Sequence, residues 1–169
     1  MKEPGRLLVG HPFNPPHLVP LVEIVPSKTT DDAVVEQAVT FYRAMGKRPQ
    51  VLKREVPGFV ANRLQAALFR EAVNLVAEGV VAEQELDDIV TSSIGLRWAV
   101  AGPFQTFHLG PAMTALWSQL GAPTLDTQTV DLLTKQAKHF DGTVNELAAR
   151  RDDRQIKLMR ALDETPVIA

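Results

Sequence analysis

The sequence predicts a mainly α protein: a helical domain preceded by a short α/β segment. Two changes of pattern carry this expectation. Up to about residue 55 the apolar residues fall in short runs bracketed by proline and glycine, with one helix among them. From residue 56 onward they recur at helical spacing almost to the C-terminus. A third observation concerns the run from Asn62 to Glu78, whose apolar residues lie nearly all round the helix. A single small domain offers little to cover both sides of such a helix, so a homodimer through the helical domain is expected.

The elements follow in order. Arg6 to Val9 is an apolar run closed by Gly10, and Leu18 to Val25 is a second run interrupted only by Pro20 and Glu23; both are expected as strands. Gln50 to Arg54 is a third candidate. Between the second and third lies TTDDAVVEQAVTFYRAMG, with acidic residues in its opening turn and Gly46 as its stop, the marks of a helix. After VPGF the pattern turns helical. Asn62 to Glu78 is followed by Gly79, Glu83 to Ser92 is shorter, and Pro103 to Leu109, Pro111 to Leu120 and Thr127 to Phe140 are further candidates. The last helix is the best marked, because Thr143 and Glu146 make a capping box that opens a helix to about Leu162.

Composition excludes several classes of function. With 169 residues, 45% of them apolar, 22% charged and a net charge of -2, the chain can build a real core but has no basic excess to hold a nucleic acid. It has no cysteine, so a disulfide framework, a thiolate nucleophile and a Cys-ligated zinc are all ruled out. No apolar run reaches signal-peptide length at the N-terminus or the roughly 18 residues of a membrane span. No membrane association is expected, and a cytoplasmic location is the default.

The candidate chemistry begins in GHPFNPPHLVPLVEIV. His11 stands just beyond the expected first strand, in a loop whose Pro12, Pro15 and Pro16 fix φ. Such a loop either mounts a catalytic group or is a proline-rich turn with a solvated histidine. Glu23, in an otherwise apolar strand, must be paired or bear a desolvation penalty, and His11 is its nearest candidate partner. A carboxylate beside an imidazole fixes its tautomer and raises its basicity, as a general base near neutral pH requires. His17 has no such logic and is expected to be structural or exposed. Asn62 falls in the first turn of its helix, where its amide either reaches a ligand or bonds the backbone. Arg97, between Gly95 and Gly102 in an apolar setting, suits a carboxylate or phosphate, or else an ion pair within the chain. No G-x-G-x-x-G or Walker-type loop is present to cradle a pyrophosphate, no cofactor-binding residue is assigned, and His108 and His139 stand isolated, so no metal site is expected.

The ordered motifs GHPFNPP, PLVEIV, VPGFVANRL and GLRWAVAGPF resemble the NAD-dependent 3-hydroxyacyl-CoA dehydrogenase family over roughly residues 6 to 120. The resemblance implies that residues 1–55 are the terminal strands and helix of an incomplete Rossmann-type nucleotide-binding domain, and 56–169 a helical substrate-binding and dimerisation domain. It implies His11 as the catalytic histidine, Glu23 as its carboxylate partner, Asn62 as a substrate contact and NAD as cofactor, held mainly by a domain outside this chain. The implied reaction oxidises a 3-hydroxyl to a 3-oxo group by hydride transfer. The chain alone, lacking its nucleotide-binding half, is then expected to be inactive. GLRWAVAGPF, with its arginine, looks more like the lambda-crystallin, gulonate and carnitine dehydrogenase branch, whose substrates are small free 3-hydroxy acids, and Arg97 would then clamp the substrate carboxylate. A non-catalytic helical interaction module is the alternative of a different class.

Overall fold

The computed structural model describes residues 2–108, 113–121, 126–136 and 143–163. It is helix-rich with one small sheet and divides into two compact units, Met1–Gln65 and Ala66–Ala169. Residues 56–65, which the sequence groups with the helical domain, belong to the first unit.

In the first unit a 3-10 turn over Pro4–Arg6 leads into β1 (Leu8–Pro12), followed by β2 (Leu21–Pro26), α1 (Asp32–Ala44) and β3 (Arg48–Val51). The sheet order is β1-β2-β3, with β1 antiparallel and β3 parallel to the central β2. The parallel pair needs a crossover, and α1 supplies it, lying against β2 and β3. Its centre is dry. Val22, Ile24 and Val25 are buried, and so is Glu23 between them. Gly10 marks the face that α1 covers, because a Cβ there would run into the Tyr42 hydroxyl. Side chains alternate along a strand, so His11 and its cross-strand partner Glu23 project from the opposite face.

Each expected strand is displaced, and pairing explains the shifts. Local sequence favours Arg6 to Val9, but Pro4–Arg6 turns as 3-10 and the β1 ladder runs on through His11↔Glu23 and Pro12↔Val22. His11 therefore sits within a strand rather than in the loop beyond it. Leu18 and Val19 are not strand either: their amides donate to the Pro15 carbonyl in a turn, and β2 begins after Pro20. The third strand starts earlier, at Arg48, whose amide meets the Pro20 carbonyl; Pro49 is tolerated because β3 is an edge.

The helix α2 (Ala61–Ala77) begins in the first unit and continues into the second, ending before Gly79, whose φ of +70° is a conformation glycine takes without strain. The second unit adds α3 (Glu83–Ser92), α4 (Ile94–Trp98), α5 (Pro103–His108), α6 (Thr127–Gln136) and α7 (Val144–Asp163). The α7 capping box is formed: the Thr143 amide donates to Glu146 Oε2 at 2.7 Å and the Glu146 amide to Thr143 Oγ1 at 3.3 Å. Met113–Gln119 is 3-10 rather than α-helix. Residues 109, 111–112 and 137–140 of the expected helices, His139 among them, lie outside the described residues. Among the described residues of one chain the long helix is buried on one side only, as expected if a second copy covers the other. Val73 and Val76 are buried, but Leu64, Leu68 and Phe69 are exposed.

Candidate active site

Three segments of the first unit converge on one carboxylate. Glu23, only 2% exposed, stands on the central strand where hydrogen bonds must replace lost hydration. Its Oε2 lies 3.0 Å from His11 Nδ1 on β1. Its Oε1 accepts the amides of Val60 at 2.9 Å and Ala61 at 3.1 Å, the opening N–H groups of α2. Those amides lack an intrahelical acceptor, and no Ser, Thr, Asp or Asn precedes Ala61 to cap them, so the buried glutamate takes the cap's place from another element.

The surroundings fix the charge. Burial alone raises the Glu23 carboxyl, but the Ala61 amide, the His11 imidazole and the Val60 amide together outweigh it and hold the group below its ordinary range. An ionised carboxylate only accepts, so His11 must carry its proton on Nδ1, which leaves the Nε2 lone pair available. The His11 side chain is 28% exposed and Nε2 has no partner among the described residues, so it can meet a hydroxyl from outside.

The loop after His11 is tied down rather than merely stiff. Phe13 N–H donates to the Leu21 carbonyl at 3.1 Å, and Lys47 Nζ reaches the Val19 carbonyl at 3.3 Å and also the carbonyl of Pro16. On the other flank, towards β3, Glu23 borders an open cleft of about 610 Å³ lined by Leu21, Val51, Leu52, Val60 and Leu64.

The remaining candidates fall as follows. Asn62 is the residue next to the amides that hold Glu23; it is exposed on the first turn of α2, and its side chain bonds neither the backbone nor any other described residue. Arg97 lies in the second unit, exposed at the end of α4, with no ion pair among the described residues. His17 is exposed. No cluster of three or more His, Asp or Glu side chains suited to a metal occurs among the described residues. The sequence did not reveal the Val60 and Ala61 amides or the Phe59 ring, whose centroid lies 5.1 Å from that of His11. The signal available was an uncapped helix start following a Pro-Gly turn.

A buried carboxylate on β2 holding one nitrogen of a partly exposed imidazole on the antiparallel β1 is an arrangement suited to acid–base chemistry. Comparison with known proteins carries this to a family. The model for the NAD binding domain of 3-hydroxyacyl-CoA dehydrogenase matches residues 1–56, and that for its C-terminal domain matches residues 58–140. The chain belongs to the 3-hydroxyacyl-CoA dehydrogenase family, whose cofactor is NAD. It is 44% identical to an L-carnitine dehydrogenase of Streptomyces griseus, over 97% of this chain and 54% of that protein. It is also 57% identical to a 3-hydroxyacyl-CoA dehydrogenase of Gibberella moniliformis, over 62% of this chain and 33% of that one. Among solved structures, an NAD+ dependent 5-formyl-3-hydroxy-2-methylpyridine 4-carboxylic acid 5-dehydrogenase superposes with a TM-score of 0.79 at 29% identity, covering 96% of this chain and 58% of that one. The chain spans about half the length of the L-carnitine dehydrogenases it matches.

The described residues offer no cradle for the cofactor's pyrophosphate. The helix that follows β2 opens on Asp31 and Asp32 instead of glycines, and an acidic first turn repels phosphate.

Proposed function

We propose that the chain supplies the proton-accepting and substrate-binding part of an NAD-dependent dehydrogenase that oxidises a 3-hydroxyl to a 3-oxo group. The observation that carries this is the 3.0 Å contact between Glu23 Oε2 and His11 Nδ1, with Nε2 left open. NAD, when bound, supplies the hydride acceptor. His11 Nε2 takes the hydroxyl proton as the carbon loses hydride. Glu23 keeps Nδ1 protonated beforehand and stabilises the imidazolium that results, in a buried setting where its charge is weakly screened. Asn62, one residue from the Glu23 clamp, is placed to hold the substrate's oxygen.

The substrate we favour is a small free 3-hydroxy acid of the carnitine or gulonate kind. Two observations support it: the relatives aligned along nearly the whole chain are named L-carnitine dehydrogenases, and Arg97 has no ion pair of its own among the described residues. A CoA thioester is the second reading, supported by the 57% identity to the 3-hydroxyacyl-CoA dehydrogenase. The test combines the chain with a glycine-rich NAD-binding half and follows NADH absorbance with L-carnitine, gulonate or 3-hydroxybutyryl-CoA. His11→Ala should lower kcat by about 10²–10⁴, the share of a positioned general base. A wild-type rate no faster than that of the mutant on every substrate overturns the proposal.

A further inference from the structure

The chain entering α2 adopts a backbone that a helix start does not demand. Gly58 has φ of +76°, and Phe59, which follows it, has φ of +51°. Glycine takes such angles freely, but a residue with a Cβ is disfavoured there and persists only where its surroundings hold it. Both ends of Phe59 meet the same pair of side chains. Its backbone leads directly into the amides of Val60 and Ala61, which donate to Glu23 Oε1 at 2.9 and 3.1 Å. Its ring sits 5.1 Å from the His11 ring at a tilt of 58°, within the range where aromatic rings attract through edge and face.

We propose that Phe59 is a positioning residue for the His11–Glu23 pair: its left-handed backbone aims the α2 amides at one oxygen of Glu23, and its ring holds the imidazole that meets the other. This rests on the reading of His11 as the proton acceptor. The geometry gives the ring a definite task. The imidazole is anchored by Nδ1 alone, at 3.0 Å from Oε2, and without a neighbour against its plane it can turn about χ2 and break that bond. Once Nδ1 loses the carboxylate, the proton redistributes between the two ring nitrogens, and molecules protonated on Nε2 cannot act as base. Acting through His11, it sets the fraction of molecules in the productive tautomer, which enters kcat and leaves KM nearly alone.

Two variants test the part played by the ring. Phe59→Gly keeps the left-handed turn and removes the ring, whereas Phe59→Leu keeps apolar bulk without an aromatic face. Imidazole ¹⁵N shifts of the full 169-residue chain report the tautomer. The His11 signal is identified by its loss in His11→Gln. Phe59→Gly should turn a single Nδ1–H form into a mixture and, in the enzyme completed with its NAD-binding half, lower kcat about tenfold with KM within about twofold. Phe59→Leu should show the same signs at about three- to fivefold. A folded Phe59→Gly protein, judged by circular dichroism, with wild-type tautomer and kcat overturns the proposal. If that variant does not fold, wild-type values in Phe59→Leu overturn it equally. The tautomer needs no turnover, so a completed enzyme inactive on every substrate would defeat the dehydrogenase reading while the ¹⁵N shifts still decided the role of Phe59.

Discussion

Replacing Glu23 by glutamine separates the charge of this side chain from its shape. The carboxylate receives the Val60 and Ala61 amides and His11 Nδ1. A hydrogen bond to a charged group contributes about 1.5–3 kcal/mol net, against about 0.5–1.5 for a neutral one, so each loses about 1 kcal/mol in Glu23→Gln. Relief from burying a charge offsets part of this, leaving an expected loss of about 1–3 kcal/mol at pH 7. Glu23→Ala, which strands the helix amides without an acceptor, should lose about 3–5 kcal/mol. The sign with pH follows from the carboxyl's position. Burial raises it, but the Ala61 amide, the His11 imidazole and the Val60 amide bring it below its ordinary value of 4.5. The folded chain then binds fewer protons than the unfolded one as pH falls through this window, so stability is lost there. The contribution is complete above 4.5 and disappears below the folded value, so the stability gap between wild type and Glu23→Gln should be widest near pH 7 and close in acid. Activity should suffer more. A glutamine amide turned towards Nδ1 moves the imidazole proton to Nε2, removing the base and about 10²–10⁴ of kcat. Urea titrations of the chain by circular dichroism across this pH range, with NADH formation at pH 7 in the enzyme completed with an NAD-binding half, check both. A gap undiminished in acid, or a mutant within threefold of wild-type kcat, would refute the reasoning.

Two further outcomes are expected. Arg97→Met should lower kcat/KM for a free 3-hydroxy acid by about ten- to two-hundredfold, the equivalent of a charge-assisted bond of about 1.5–3 kcal/mol, and affect a CoA thioester much less; equal losses on both in the completed enzyme remove the clamp. The exposed apolar side chains of α2, with Leu64 62% and Phe69 65% accessible, are expected to be covered by a second copy, so light scattering at tens of micromolar should show a dimer that Leu64→Glu with Phe69→Glu converts to monomer. A wild-type monomer at that concentration would sink this.

Where an element is written in its own residues, the sequence was a sufficient guide. Asp32–Ala44 closes at Gly46, Glu83–Ser92 has acidic residues in its first turn, and Thr143 with Glu146 opens α7, each through contacts a few residues apart. Strand ends were not legible in the same way. The length of β1 depends on pairing with β2 through His11↔Glu23, and β3 begins where Arg48 reaches the Pro20 carbonyl, neither of which leaves a mark in the local pattern. The candidate site divides similarly. A glutamate amid apolar neighbours announces that it needs a partner, and the proline-bounded histidine was near at hand. Its other partners are backbone amides, which carry no residue identity and so no motif.

That division has a physical consequence for how the site is held. A helix whose opening amides are met by a side chain of its own first turn can form without reference to the rest of the fold. The amides at Val60 and Ala61 instead depend on Glu23, 37 and 38 residues earlier. The start of α2 is thus satisfied only when the sheet is formed with the Glu23 side chain beneath it, and the buried Glu23 carboxylate is satisfied only when α2 is in place. Because Asn62 is the next residue, the same contact that orients the imidazole also fixes where α2 presents its first side-chain amide. Losing the Glu23 charge therefore acts on both at once: the imidazole loses the acceptor that fixes its tautomer, and the start of α2, with Asn62 on it, is held by weaker bonds. Mutations of His11 and Asn62 should for this reason fail to add when combined with Glu23→Gln, as expected of residues that work as a unit.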